Sequence, residues 1–179
     1  MTFPRTLTRI ATAAAATLFL SVLAPAGASA DDVSVADLNL RTPFDCGQVW
    51  NANTRTNHNP QLSVDFQRDN AQGQNVRSSA AGTVTTVANL GNESYGRYII
   101  VDHGSGVTTL YAHLQTQSVS VGDSVSTGSV IGTVGSTGGS TGPHLHYEQR
   151  ESGTVVEVVL NGVEIHYYGN TTITSSTGC

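Results

Sequence analysis

The chain has six histidines, and two of them, His144 and His146, stand one residue apart in "GSTGGSTGPHLHYEQR", residues 135 to 150. On a β-strand, side chains at i and i+2 leave the same face about 6.6 to 6.8 Å apart, so both imidazoles would open onto one groove. At that separation they can share a site and do different work. One can bind a metal through a ring nitrogen while the other stands beside a nucleophilic water or a substrate as base or hydrogen-bond donor. An isolated H-x-H is more often a solvated strand face, so its company decides. "TRTNHNPQLSVDFQRD" places His58 seven residues ahead of Asp65, in a polar loop that runs into a short apolar strand. Nitrogens from His58 and from one histidine of the pair, with an Asp65 oxygen, would make three protein ligands and an open fourth position, the pattern of a catalytic zinc. Two neutral imidazoles and one carboxylate leave +1 on a divalent centre, which draws the pKa of water there toward about 7. The H-E-x-x-H motif is absent, so the glutamate base of that class is missing. His113, in "LYAHL", is a candidate base in its place.

These side chains need a frame, and the sequence reads as strands. From Thr42 onward no helical period persists for three turns. Short runs rich in Val, Ile, Thr and Tyr recur instead, punctuated by glycine: "AAGTVTTVANL", "GRYIIVDHG", "GVTTLYAHL", "SVSVGD", "GSVIGTVG", "PHLHYEQR", "TVVEVVLNG" and "VEIHYYG". Turns spaced about 8 to 12 residues apart predict an all-β fold, an antiparallel sheet or barrel-like sandwich with a metal groove and little helix. "HGSG" at 103 to 106 and "NG" at 161 and 162 read as hairpin turns, where glycine accepts a positive φ. The Val-Gly rhythm from Val119 to Gly138 is similar to the hammerhead turn of lipoyl and biotinyl carriers. Those carry a modified lysine and this chain has no lysine, which excludes that role.

Composition bounds the setting. Arg5 and Arg9, an apolar run from Ile10 to Leu23 and the small-residue ending "APAGASA" form a secretory leader, with cleavage expected after Ala30. Its core is too short for a stable membrane span. Residues 31 to 41 read as an N-terminal arm and residues 42 to 179 as one domain. Without the leader's two arginines the net charge is 6 − 13 = −7 with histidines neutral. Nucleic acid and anionic membrane are therefore not expected partners, since both need a cationic face. Cys46 and Cys179, the only cysteines, are expected to pair in an oxidising compartment, and closing so long a loop stabilises by roughly 5 kcal/mol on chain-entropy grounds. A Cys-Cys zinc site lacks neighbouring cysteines or histidines at suitable spacing.

"NHNPQLSVDF", "AAGTVTTV", "GVTTLYAHL" and "VSVGDSVSTGSVIGTVGSTGGSTGPHLHYE" resemble successive blocks of the lysostaphin/LytM and beta-lytic zinc metalloendopeptidases, from about Thr42 to Glu148. The resemblance implies an exported peptidoglycan hydrolase that cuts peptide cross-bridges or stem peptides of the bacterial cell wall; a monomer is expected, secreted and free or associated with the wall. It implies one zinc per chain, held by His58, Asp65 and His146. His113 and His144 become the catalytic histidines, which activate the water and steady the tetrahedral intermediate. The commonest pattern of that family has histidine four residues before the aspartate, where this chain has Gln61, whereas beta-lytic members space the pair more widely. Degenerate relatives that keep the fold and lose ligands supply the alternative, a non-catalytic module that binds the wall or regulates other hydrolases. A phosphocarrier role for His113 and His144, as in the sugar-permease IIA proteins of similar fold, needs a cytosolic phosphate donor that export removes. His103 is read as turn or supporting structure and His166 as surface. Glu148, on the face of His144 and His146 in an ideal strand, could orient an imidazole. Tyr111, Tyr147, Tyr167 and Tyr168 stay unranked as oxyanion donors.

Overall fold

A computed structural model describes Ser34, Val35 and residues 37–179, and the segment read as an export leader lies outside them. Fourteen strands follow one another without a helix among the described residues. They are β1 (Val49–Asn53), β2 (Val64–Gln67), β3 (Asn75–Arg77), β4 (Gly82–Asn89), β5 (Arg97–Asp102), β6 (Val107–Ala112), β7 (Leu114–Gln117), β8 (Ser124–Val125), β9 (Val130–Val134), β10 (Leu145–Glu151), β11 (Thr154–Val156), β12 (Val159–Leu160), β13 (Val163–Glu164) and β14 (Asn170–Thr174). The expected all-β, antiparallel architecture is what forms. The large sheet runs β14-β1-β2-β10-β6-β5-β4-β8, with β11 added beside the far half of β10. A smaller sheet, β3-β9-β7, and the hairpin β12-β13 complete the set.

Alternate side chains along the strands supply the core, while the other face of β2 and β10 carries the buried Asp65, His146 and Glu148. Phe66, Ile99, Val101, Leu145 and Tyr147 from the large sheet and Val76, Leu114, Ile131 and Val134 from the small one join a single apolar cluster. Fully burying side chains of this size contributes about 1.5 to 3 kcal/mol each. Val35 and Leu40, within the segment read as an arm, also pack into this cluster. Both predicted hairpin turns form. β5 and β6 are joined through Gly104, Ser105 and Gly106, all at positive φ, and Asn161 and Gly162 join β12 to β13 with φ of 53° and 72°. Two positive φ values in a two-residue loop suit the right-handed twist of the paired strands.

Two features position the site. First, β10 runs through the middle of the large sheet, pairing β2 through His146↔Asp65 and β6 through His146↔Ala112. Second, β1 and β2 pair with Asn53 opposite Asp65, so the loop between them must fold back over Asp65 itself.

Cys46 and Cys179 are joined in a disulfide that closes a sequence separation of 133 residues. It ties the entry to β1 to the chain end beyond β14. We expect the double variant Cys46→Ser/Cys179→Ser to lose about 2 to 5 kcal/mol of stability, read as a lower denaturant midpoint with a larger m value, since the unfolded chain without its crosslink expands and exposes more surface. A midpoint equal to the parent's would show that the strands hold this end without the bond.

Candidate metal centre and active site

Asp65 lies at the middle of the site, 2 % exposed on β2. Its Oδ1 is 3.1 Å from His58 Nε2, 3.2 Å from His146 Nδ1 and 3.5 Å from His144 Nε2. Its Oδ2 accepts a 2.8 Å hydrogen bond from the Arg55 guanidinium. One ligand atom each from His58, Asp65 and His146 lies within 4.8 Å of the other two. A tetrahedral ion with bonds of about 2.0 to 2.2 Å spaces its ligand atoms by roughly 3.3 Å, so the distances from Asp65 Oδ1 to the two nitrogens suit a zinc-sized cation.

The other nitrogen of each ring shows why such an ion fits. His58 Nδ1 lies 3.0 Å from Ser63 O, His144 Nδ1 2.8 Å from Gly142 O, His113 Nδ1 2.8 Å from Thr137 O, and His146 Nε2 3.0 Å from Glu148 Oε1. A carbonyl or a carboxylate oxygen only accepts, so each of these nitrogens must carry the proton. In the neutral rings the opposite nitrogens, His58 Nε2, His146 Nδ1 and His144 Nε2, therefore turn bare lone pairs toward Asp65 Oδ1. Lone pairs do not face a carboxylate without something positive between them, either extra protons or a cation. The donor set, two imidazoles and one carboxylate, is the one zinc takes.

The electrostatics agree. Burial opposes the charge on Asp65, but the contacts with His146 and His58 and the nearby His144 outweigh it and hold the carboxyl well below the usual carboxylate range. Burial likewise disfavours a proton on His146, yet Asp65 and Glu148 on its two sides raise its pKa. Burial pushes His113 down to about 4, and His144 beside it adds to the effect. His113 is thus held neutral near pH 7, with no hydrogen-bond partner for Nε2 among the described residues.

Local structure explains how each side chain arrives. The β1–β2 loop turns through Arg55 and His58, and His58 N donates to Arg55 O at 3.1 Å. The loop thus doubles back and brings His58 to Asp65 across the seven-residue spacing. Gln61, at the commoner spacing, is exposed and donates to Thr56 O at 3.2 Å. His146 is inside β10 and His144 just before it, held by an antiparallel bridge to Gly135. His113, read from sequence as part of a strand, stands between β6 and β7 at φ 62°. A β-branched or bulky residue rarely takes that conformation, and histidine takes it only moderately often. The kink turns the ring to 4.7 Å from His144, centroid to centroid. In the Gly/Ser/Thr run ahead of His144, Gly135 and Gly138 are closely packed. Gly138 has φ 74°, and a Cβ there would collide with the backbone of Ser94 and Gly96.

Glu148 is fully buried, and its Oε1 also accepts from Tyr95 OH at 2.7 Å while Oε2 takes Arg150 at 2.6 Å. Burial would raise its pKa, but these contacts bring it below the ordinary value. By holding His146 Nε2–H, it fixes the tautomer that leaves Nδ1 bare, the usual task of a carboxylate behind a metal-binding histidine. His103 bonds Ala81 O and Thr109 Oγ1, and His166 is exposed; neither lines the groove. Tyr111 and Tyr147 are buried in the core. Tyr167 OH is spent on Val158 N and Leu62 O. Arg55 and Tyr95 do line the groove, about 530 Å³ in volume, and neither carries a local sign in the sequence.

Residues 59–158 match peptidase family M23. The chain is 51 % identical over 88 residues to DD-carboxypeptidase/endopeptidase Mpg of Neisseria meningitidis, covering 49 % of this chain and 20 % of that protein. It is 38 % identical over 86 residues to murein hydrolase activator EnvC of Escherichia coli, covering 48 % and 20 %. A zinc-containing peptidase from Vibrio cholerae superposes with a TM-score of 0.56 at 28 % identity, over 68 % of this chain and 40 % of that one. The chain thus spans about a fifth of the length of these curated relatives. The matched span, more than half of the chain, establishes that this protein belongs to peptidase family M23.

Proposed function

We propose that the protein is a secreted zinc metalloendopeptidase that cleaves cross-bridge or stem peptides of bacterial peptidoglycan. The observation that carries this reading is the convergence of bare imidazole nitrogens on Asp65 Oδ1, each ring pinned from behind by an oxygen. His58 Nε2, Asp65 Oδ1 and His146 Nδ1 would hold the ion. Zinc bound there supplies Lewis acidity, polarising the scissile carbonyl and making water nucleophilic near neutral pH. His113 Nε2, neutral and open to the groove, takes the proton from the attacking water. Its Nδ1–H stays on Thr137 O, so the positive ring that forms is stabilised without moving. The His144 ring, 4.7 Å from that of His113 between centroids, lines the same groove, where it would steady the tetrahedral intermediate. Tyr95 does not compete for either task, because its hydroxyl proton is committed to Glu148.

Purified protein is expected to clear a peptidoglycan suspension and to release new amino termini that mass spectrometry identifies. Chelation should abolish clearing and added zinc restore it. The second reading, a non-catalytic regulator, is motivated by the similarity to the activator EnvC. It predicts well under one zinc per chain after dialysis and no new amino termini. Retention of one zinc with clearing that stops on chelation separates the two.

A further inference from the structure

Among the described residues lining the groove, Arg55 is the only permanent cation and Asp65 the only carboxylate. The chain has no lysine and a net charge of −5, so a guanidinium in the site is a local exception to the surrounding charge. Arg55 Nη2 donates to Asp65 Oδ2 at 2.8 Å and Nη1 to Asn53 Oδ1 at 3.4 Å. A guanidinium carries five N–H donors in a rigid fork, and these contacts use two. The side chain is 46 % exposed, so the remaining donors face solvent and the groove. Arg150 differs, with its fork turned onto buried Glu148 and Tyr95. Arg55 and Asp65 cancel each other's charge, so the charge of a bound divalent ion stands uncompensated in the groove. The ligand that suits such a groove is an anion placed where the fork can reach it. Carboxylates take that fork through two parallel hydrogen bonds.

We propose that Arg55 is the carboxylate-recognition residue of this groove. It takes a free carboxylate that the peptide carries next to the scissile bond, so that anionic peptides are preferred over uncharged bridges such as oligoglycine. This rests on the peptidase reading above and narrows its substrate class. The carboxylate is either the chain terminus or a side-chain group.

Three peptides of otherwise equal sequence test it. One ends in a free carboxylate one residue past the scissile bond, one has that terminus amidated, and one is amidated but bears a side-chain carboxylate at that residue. The parent is expected to show a kcat/KM at least about tenfold higher for one of the anionic peptides than for the neutral one, as a charge-assisted hydrogen bond gives, and the favoured peptide identifies the source. Arg55→Gln should bring that ratio to near one, and Arg55→Lys, a point charge without the fork, to an intermediate value. Losses through folding or metal binding affect all three peptides alike and cancel in the ratio. The same peptides are titrated calorimetrically into the zinc-free protein, so selectivity is read whether or not the bond is cut. Tighter binding of an anionic peptide by the zinc-free protein, with no turnover of it by the zinc-loaded protein, would support Arg55 and count against the peptidase reading. Turnover of all three peptides at equal kcat/KM, or a parental ratio retained in Arg55→Gln, overturns the proposal.

Discussion

Replacing His146 with alanine is expected to abolish zinc retention and to lower kcat/KM by at least about a thousandfold, because the fourth position is already open and two protein ligands cannot hold the ion. The effect should exceed that at any other single histidine. His146 joins both halves of the centre, with Nδ1 3.2 Å from Asp65 Oδ1 and Nε2 3.0 Å from Glu148 Oε1. Truncation leaves Glu148 without one of its buried donors, a cost of about 1 to 3 kcal/mol. Thermal unfolding of the zinc-free proteins would read that loss apart from the metal effect. His113→Ala supplies the contrast. It makes no contact with Asp65 Oδ1, so it should keep one zinc per chain and lose about 10² to 10⁴ in kcat, the ordinary worth of a general base. Metal analysis after dialysis, run beside kinetics on both variants, checks the division of labour. A His146→Ala protein that still holds one zinc and still cuts would remove the basis for the proposed mechanism.

The parts of the site legible in the sequence were those encoded locally. The i, i+2 relation of His146 and Glu148 follows from strand geometry alone, and the Asn161-Gly162 turn from the positive φ that such loops require. His58 was harder to place, because its approach to Asp65 depends on β1 and β2 pairing at Asn53↔Asp65, a register that no window of sequence displays. His113 looked like one more strand residue, since the apolar run around it continues on both sides. Only the change of partner from the β10 side to the small sheet forces the single residue at φ 62°. Tyr95 reaches Glu148 across 53 residues, and Arg55 reaches its groove through a loop without periodicity. Such contacts are set by tertiary packing, so spacing carries no trace of them. The glycine run before His144 was visible as glycine, but its cause, contact with the backbone at 94 and 96, was not.

The second large effect is expected at Glu148, and it separates holding the metal from holding the ligand. Glu148→Gln keeps the shape but has one oxygen and one NH2. Its Oε1 position now accepts from His146 and Tyr95 and its Oε2 position from Arg150, so either amide orientation sets a donor against donors. If the oxygen stays toward His146, the guanidinium loses its partner; if it turns to Arg150, His146 loses the oxygen that fixes its tautomer. Breaking a buried charge pair costs about 3 to 5 kcal/mol, and the partial exposure of Arg150 places this case toward the lower end. Loss of the orienting carboxylate should weaken zinc by about 10- to 100-fold, measured by competition with a chelator of known affinity. Tyr95→Phe removes one hydroxyl from the same oxygen and should cost about 1 kcal/mol with zinc affinity within a few-fold of the parent. Equal zinc affinity in Glu148→Gln and the parent would mean that Asp65 and the β2–β10 register orient His146 unaided, and that the buried carboxylate serves the fold and not the metal.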